Sequence, residues 1–464
     1  MRRLAAIGLA LVVVGCGKPE PVHNGKSLSE WLDQARGRDT LAGGTFEQVQ
    51  AGGTNETVDA LVAMGQEAVP FLIEALEDDN SDVREVATNA LARMGQPAIP
   101  ELLVALDHRD DLVAGAAAAA LREIGAEAVP HVSTAMGDES PQVRRHAAQV
   151  LEQIGTDAAQ ASPVLVKGLQ DSDLEVRRAA FRALPKVDIE ATKNAMPTLI
   201  AALADKDTGV CVGAIDALRA LGPQAESAVP DLSKALESDS VEVQMGASKA
   251  LTSIGPAAVS ALVERAGHQN ADVRLWSITA LGSIGPPASD SVAALMVALD
   301  DGDVRVRRAS LHAIALVGPK ANAAVPAVLK VLAEDPEPLF RSGAASALTK
   351  IGGGVPEVYL ALVEKLRGDD DNEVRASVAA ALGTMQSAAE AIVPLLISAL
   401  EDPNPNVRLN AARALGDLGP KAASATSALE RLSQDDQDSV VPLVANEALG
   451  KIRSAPNNAA SNAR

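Results

Sequence analysis

Residues 71–95 read FLIEALEDDNSDVREVATNALARMG and set the pattern of the chain. Phe71, Leu72, Ala75 and Leu76 recur at helical spacing and form one apolar stripe. A polar, mostly acidic break follows from Glu77 to Asp82, with Ser81 or Asp82 suited to cap the next helix. A second stripe starts at Val83 and continues through Ala87, Ala90 and Leu91, and Gly95 suits a left-handed C-cap. The segment predicts two helices joined by an acidic turn. Dipeptides such as Val69-Pro70, Ile99-Pro100, Val129-Pro130 and Val229-Pro230 open the first helix of each unit. Proline suits that place because the first turn has no use for its missing N–H.

The pattern returns about every 30–37 residues, as ALARMGQPAIP at 90–100, ALREIGAEAVP at 120–130, ALGSIGPP at 280–287 and ALGDLGP at 414–420. A fixed period of this size means one supersecondary unit copied many times. One such hairpin has too little apolar area to offset the entropy of ordering it, so neighbours must share faces. Eleven helix pairs read between 69 and 419, and a worn twelfth covers about 424–452. The expected organisation is a leader at 1–15, a tether at 16–26, a degenerate capping repeat at 27–68, the repeat array at 69–452 and a disordered tail at 453–464. Aromatic residues are only 2% of the chain, so the helices must pack through small side chains.

Aligned, the second helices read VREVATNAL (83–91), VRRHAAQVL (143–151), VRRAAFRAL (176–184), VRLWSITAL (273–281), VRRASLHAI (306–314), VRASVAAAL (374–382) and VRLNAARAL (407–415). This series resembles the HEAT-repeat superfamily, in the short bacterial form also found in phycobilisome-lyase-like repeats. The resemblance implies an all-α fold, a right-handed α-solenoid of about twelve HEAT-type helix-turn-helix repeats. It also implies a ladder in which the arginine after each valine pairs with turn acids and bridges neighbouring repeats. The rungs would be Arg84, Arg144, Arg177, Arg274, Arg307, Arg341, Arg375 and Arg408, with breaks at Ala114, Cys211 and Gln244.

The net charge of −20 disfavours nucleic acid, whose phosphates call for lysine and arginine. Met1-Arg2-Arg3 followed by the apolar run Leu4 to Val14 fits a secretory leader and is too short for a membrane span. Val13-Val14-Gly15-Cys16 resembles the bacterial lipobox. By that resemblance Cys16 carries the lipid anchor. Gly17 follows in place of the aspartate that retains such proteins in the inner membrane, which favours the outer membrane of a two-membrane cell. Cys211 is then the only other cysteine, so no intrachain disulfide is expected.

No HExxH, CxxC, GxSxG or P-loop sequence occurs, and no His-Glu dipeptide of the kind used by HEAT-type iron hydroxylases. No cofactor and no metal site is expected. His146 reads as a core histidine and Asp369-Asp370-Asp371 as a capping turn.

With each leading valine as position zero, a 100° step places +2, +5 and +6 on a solvent-facing groove. Those positions hold Arg145, Arg178 and Arg182 early in the array and Val212, Ile215, Met245, Leu275, Ile278 and Leu311 in the middle. The apolar stretch is a candidate partner groove. The expected function is that of a membrane-anchored, non-catalytic, monomeric scaffold for envelope proteins. An enzyme or enzyme accessory of the phycobilisome-lyase-like repeat group and a passive structural spacer are the alternatives.

Overall fold

A computed structural model describes residues 19–36, 56–352 and 354–454. Cys16, the leader and residues 455–464 of the expected tail lie outside them, as do residues 37–55 of the expected capping repeat. The described chain is nearly all helix, an α-solenoid of repeated pairs in which a short first helix is followed by one of about four turns. It divides into two compact units, residues 1–225 and 226–464.

The pair at 69–94 shows the local logic. Its first helix, Val69–Glu74, carries proline in the first turn and buries Val69 and Leu72. The second, Ser81–Met94, buries Val83, Val86, Ala87, Ala90 and Leu91. The cap is Asn80, one residue earlier than the sequence suggested: its side chain accepts from the backbone N–H of Asp82 and Val83. Gly95 closes the helix with φ 68°, but its ψ of −131° is far from the left-handed helical well. That conformation is open in practice only to glycine. It turns the chain into the 3-10 segment Gln96–Ala98, which delivers Ile99-Pro100 to the next pair. These links explain the variable period. They are three residues long at Gly125–Glu127 but seven at Gly155–Ala161 and Gly318–Ala324.

In the N-terminal unit, residues 19–27 are not a loose tether. Val22–His23 and Lys26–Ser27 pair antiparallel across Asn24-Gly25, both at positive φ. The helix Leu28–Arg36 follows, buries Trp31 and Ala35, and packs on Ser81–Met94. Five regular pairs then run from Val69 to Leu221, with a small extra helix, Ile189–Asn194, inserted before the fifth. The C-terminal unit holds seven pairs, from Val229 to Arg453.

Successive second helices lie side by side within each unit, and small residues set how close they come. A Cβ built on Gly213 would meet Phe181 Cβ at 2.7 Å, and one on Gly343 would meet Leu311 Cδ2 at 2.9 Å. In both cases the +5 side chain of one helix sits in the space left by a +3 glycine on the next. The C-terminal unit adds a second close contact. Cβ atoms on Gly282, Gly383 and Gly416 would lie 2.7, 2.8 and 2.9 Å from the Cα of Ala313, Ala414 and Ala448.

Candidate interaction surface

These lateral contacts correct the expected groove. Ile215 and Ile278 are fully buried and Leu311 is 5% exposed, so none of the three faces solvent. The phase argument treated each second helix as packed only on its own first helix. Position +5 instead points at the next second helix, as Leu311 does against Gly343. Val212 and Leu275 are half-buried, and Met245 is 36% exposed. The arginines assigned to the same groove are engaged with acids. Arg178 binds Asp207 through Nε at 2.9 Å and Nη2 at 2.6 Å, while Arg145 and Arg182 each lie 3.9 Å from a carboxylate, of Asp111 and Glu152.

Apart from Val212 in the N-terminal unit, what remains of the apolar stretch lies in the C-terminal unit, on the second helices Val241–Ile254 and Ala271–Ile284. Met245 and Leu275 occupy equivalent +2 positions there, and half-buried Trp276 follows Leu275. The Trp276 indole N–H donates to Gln244 Oε1 at 3.1 Å, and the Ser248 hydroxyl donates to the Trp276 carbonyl at 2.9 Å. Two polar contacts thus orient an aromatic residue beside exposed Met245 and half-buried Leu275. Helical phase had assigned Trp276 inward. The usable signal was Gln244, which takes the place of a ladder arginine and frees that position for the indole.

The eight ladder arginines share one contact. Each Nη1 donates to backbone carbonyls of its own inter-helix turn, for example Arg84 to Asp78 and Asp79 and Arg341 to Asp335 and Pro336. These carbonyls end the preceding helix and lack intrahelical partners. Five arginines also reach the next turn. Arg144, Arg274, Arg341, Arg375 and Arg408 bind Asp171, Asp301, Asp369, Asp402 and Asp436 in bidentate fashion at 2.6–3.0 Å. Each of these carboxylates also accepts the backbone N–H two residues on. One acid thereby shapes its own turn and ties it to the repeat before.

Three arginines do not make that rung. At the turn after Arg84 the acid is replaced by His108, whose Nδ1 accepts from Asp110 N in its stead. Arg177 has only turn carbonyls, and its neighbour Arg178 takes Asp207. Arg307 lies over the Phe340 ring at 5.1 Å and reaches Glu337 at 3.8 Å. Where Ala114 replaces arginine, Asp138 stays exposed, whereas the five paired aspartates are only 2–15% exposed. A buried carboxylate requires its guanidinium.

The electrostatics follow. The Arg274 and Arg408 guanidinium bonds hold Asp301 and Asp436 below the usual carboxylate range. Burial pushes Asp171, Asp369 and Asp402 upward, but bonds to arginine and backbone N–H override it and the net direction is down. In the acidic run, Asp369 is a rung, Asp370 is exposed and Asp371 caps the next helix by accepting from Glu373 and Val374 N–H. His146 is buried with Nδ1 3.0 Å from the Leu106 carbonyl, and burial lowers its pKa.

Among the described residues, no cluster of three or more His, Cys, Asp or Glu is disposed to hold a metal ion. A shallow cavity of about 700 Å³ lies in the N-terminal unit between Thr134, Lys167 and Gln170, with the Arg144–Asp171 rung at its wall. Arg144 and Asp171 are committed to each other there.

The sequence profile of the HEAT repeats matches in overlapping windows at 55–122, 99–185, 128–212, 162–252, 196–282, 229–297, 259–349, 292–383 and 359–450. No curated protein matches the sequence significantly. Several solved structures share the fold. Kap95p, whose binding induces the switch loops of RanGDP to adopt the GTP-bound conformation, superposes with a TM-score of 0.64 at 16% identity over 92% of this chain and 66% of that one. Kap121p bound to Pho4p gives 0.57 at 13% over 92% and 57%. Yeast importin-beta (Kap95p) gives 0.58 at 16% over 92% and 67%. This chain thus spans between half and two thirds of theirs, and identities this low speak for the fold alone.

Proposed function

The chain belongs to the HEAT-repeat family, and from that premise we propose that it is a non-catalytic scaffold for protein partners, held at a bacterial envelope membrane by a lipid on Cys16. The observation that carries the binding role is the oriented apolar patch of Met245, Leu275 and Trp276 on successive second helices. Partly accessible aromatic and sulfur-containing side chains with a polar rim are what protein contact surfaces use. Kap95p and Kap121p have been solved with protein partners, which supports a protein-binding role for this fold. The sequence Val13-Val14-Gly15-Cys16 supports the anchor, and the net charge of −20 favours a partner with a basic surface.

The test is proximity labelling from the full-length chain in its own cell envelope. One or a few proteins should be enriched over a lipidated control, and Met245→Glu with Leu275→Glu should remove that enrichment while the helical content stays unchanged. An enriched set indifferent to the double substitution would refute the patch, and the absence of any enrichment would refute the scaffold.

A further inference from the structure

The described hairpin begins very close in sequence to the expected anchor. Glu20 accepts the hydroxyl of Ser29 at 2.7 Å and its backbone N–H at 3.1 Å, and these bonds, the hydroxyl's above all, hold the Glu20 carboxyl below its usual range. The Leu28 N–H donates to the Pro21 carbonyl at 3.1 Å. The Trp31 indole donates to the His23 carbonyl at 3.2 Å, and Lys26 Nζ lies 4.5 Å over the same ring. A reciprocal capping box between Ser27 and Glu30 fixes the start of the helix. That helix is in turn bound to the first regular pair, through its packing on Ser81–Met94 and an Arg36–Asp78 ion pair. From Glu20 onward the hairpin is therefore continuous with the folded N-terminal unit.

Only Gly17, Lys18 and Pro19 separate Cys16 from that first fixed residue. Four extended steps cover at most about 14 Å. The polar layer of one bilayer leaflet is itself about 6 Å thick. An acyl chain on Cys16 therefore leaves the hairpin less than about 10 Å of freedom beyond the headgroups. Val22 is 64% exposed, two residues after the fixed point, and no described side chain covers it.

We infer that the hairpin at residues 22–27 rests on the polar surface of the anchoring membrane, with Val22 directed into the headgroup layer. This rests on the lipid-anchor reading of Cys16. The short span makes the membrane a fixed contact of the N-terminal cap, in place of a flexible lead that would let the array range freely. Val22 adds a small apolar contribution to the headgroup contact, while Lys26, paired with His23 on the other face of the hairpin, stays over the Trp31 ring.

The experiment uses full-length, lipidated protein in phosphatidylethanolamine–phosphatidylglycerol vesicles. Single fluorophores are placed at Val22→Cys and, in the last pair of the same unit, at Ala220→Cys; native Cys211 is buried. Headgroup-labelled quencher lipid should reduce the Val22 signal several-fold and leave the Ala220 signal unchanged. A 20-residue Gly/Ser insertion after Lys18 should restore the Val22 signal while the protein still floats with the vesicles. Flotation with equal, weak quenching at both positions would overturn the membrane contact and leave the anchor standing. Failure of the wild type to float any better than Cys16→Ala would overturn both.

Discussion

The two units are built from one repeat but are joined differently. In the C-terminal unit, Arg274, Arg341, Arg375 and Arg408 each clamp their own turn and bind the acid of the next. From Arg341 to Asp436 the rungs are consecutive, because Asp369 and Asp402 accept arginine at the carboxylate from one side and at the carbonyl from the other. In the N-terminal unit only Arg144 completes such a rung. The close glycine–alanine contacts at Gly282, Gly383 and Gly416 also belong to the C-terminal unit, whereas the equivalent positions of the N-terminal unit hold larger residues such as Arg122 and Glu152. In a linear array, stability is a sum of repeats and seams. The difference lies in the seams, since the helix pairs themselves bury the same Val, Ala and Leu positions.

The largest test of that contrast removes a rung. Arg341→Met leaves Asp369 buried with Lys365 at 3.3 Å as its remaining cation and the Asp371 N–H as its remaining backbone donor, and should cost on the order of 3 kcal/mol. Arg177→Met forfeits only hydrogen bonds to turn carbonyls and should cost about 1 kcal/mol. Urea unfolding followed by circular dichroism measures both; equal costs would mean that the rungs contribute nothing beyond capping. A second pair of substitutions should differ in sign. Gly282→Ala places a methyl 2.7 Å from Ala313 Cα and should destabilise by about 1–3 kcal/mol, despite alanine's better helix propensity. Gly115→Ala meets nothing within 4 Å and should stabilise by about 0.5–1 kcal/mol.

Acid should separate the units next. The paired aspartates have folded-state pKa values below their unfolded values, so their contribution is complete above about pH 4 and is lost as pH falls through the folded values. Four of the five rungs lie in the C-terminal unit, so its hydrogen-exchange protection should fall more steeply below pH 4 than that of the N-terminal unit. Parallel loss in both would break the comparison.

Much of this was legible in the sequence because a repeat states its pattern many times. Val83, Ala87, Ala90 and Leu91 announce a buried helix face, and the Arg–Asp spacing marks a seam. What was not legible depends on neighbours. Ile278 and Leu311 read as exposed because a single helix has no sideways partner, and only the next helix shows why they are covered. The Asn24-Gly25 hairpin reads as tether because the partners that secure it, Ser29 on Glu20 and Trp31 on the His23 carbonyl, lie beyond residue 26. Arg177 fits the rung motif in full, yet Arg178 is the residue that holds the next turn.

The account depends most on the claim that an exposed face of second helices, and no cleft, is where partners bind. A photoreactive amino acid at Leu275, compared with one at Val297 on the outer first helix Val292–Ala298, tests this directly. Val297 is 77% exposed and Leu275 half-buried, so exposure alone would favour capture at Val297. Crosslinking in the native envelope should give one dominant protein adduct from Leu275 and none from Val297. Adducts of equal yield at the two positions, or from Val297 alone, would contradict the claim.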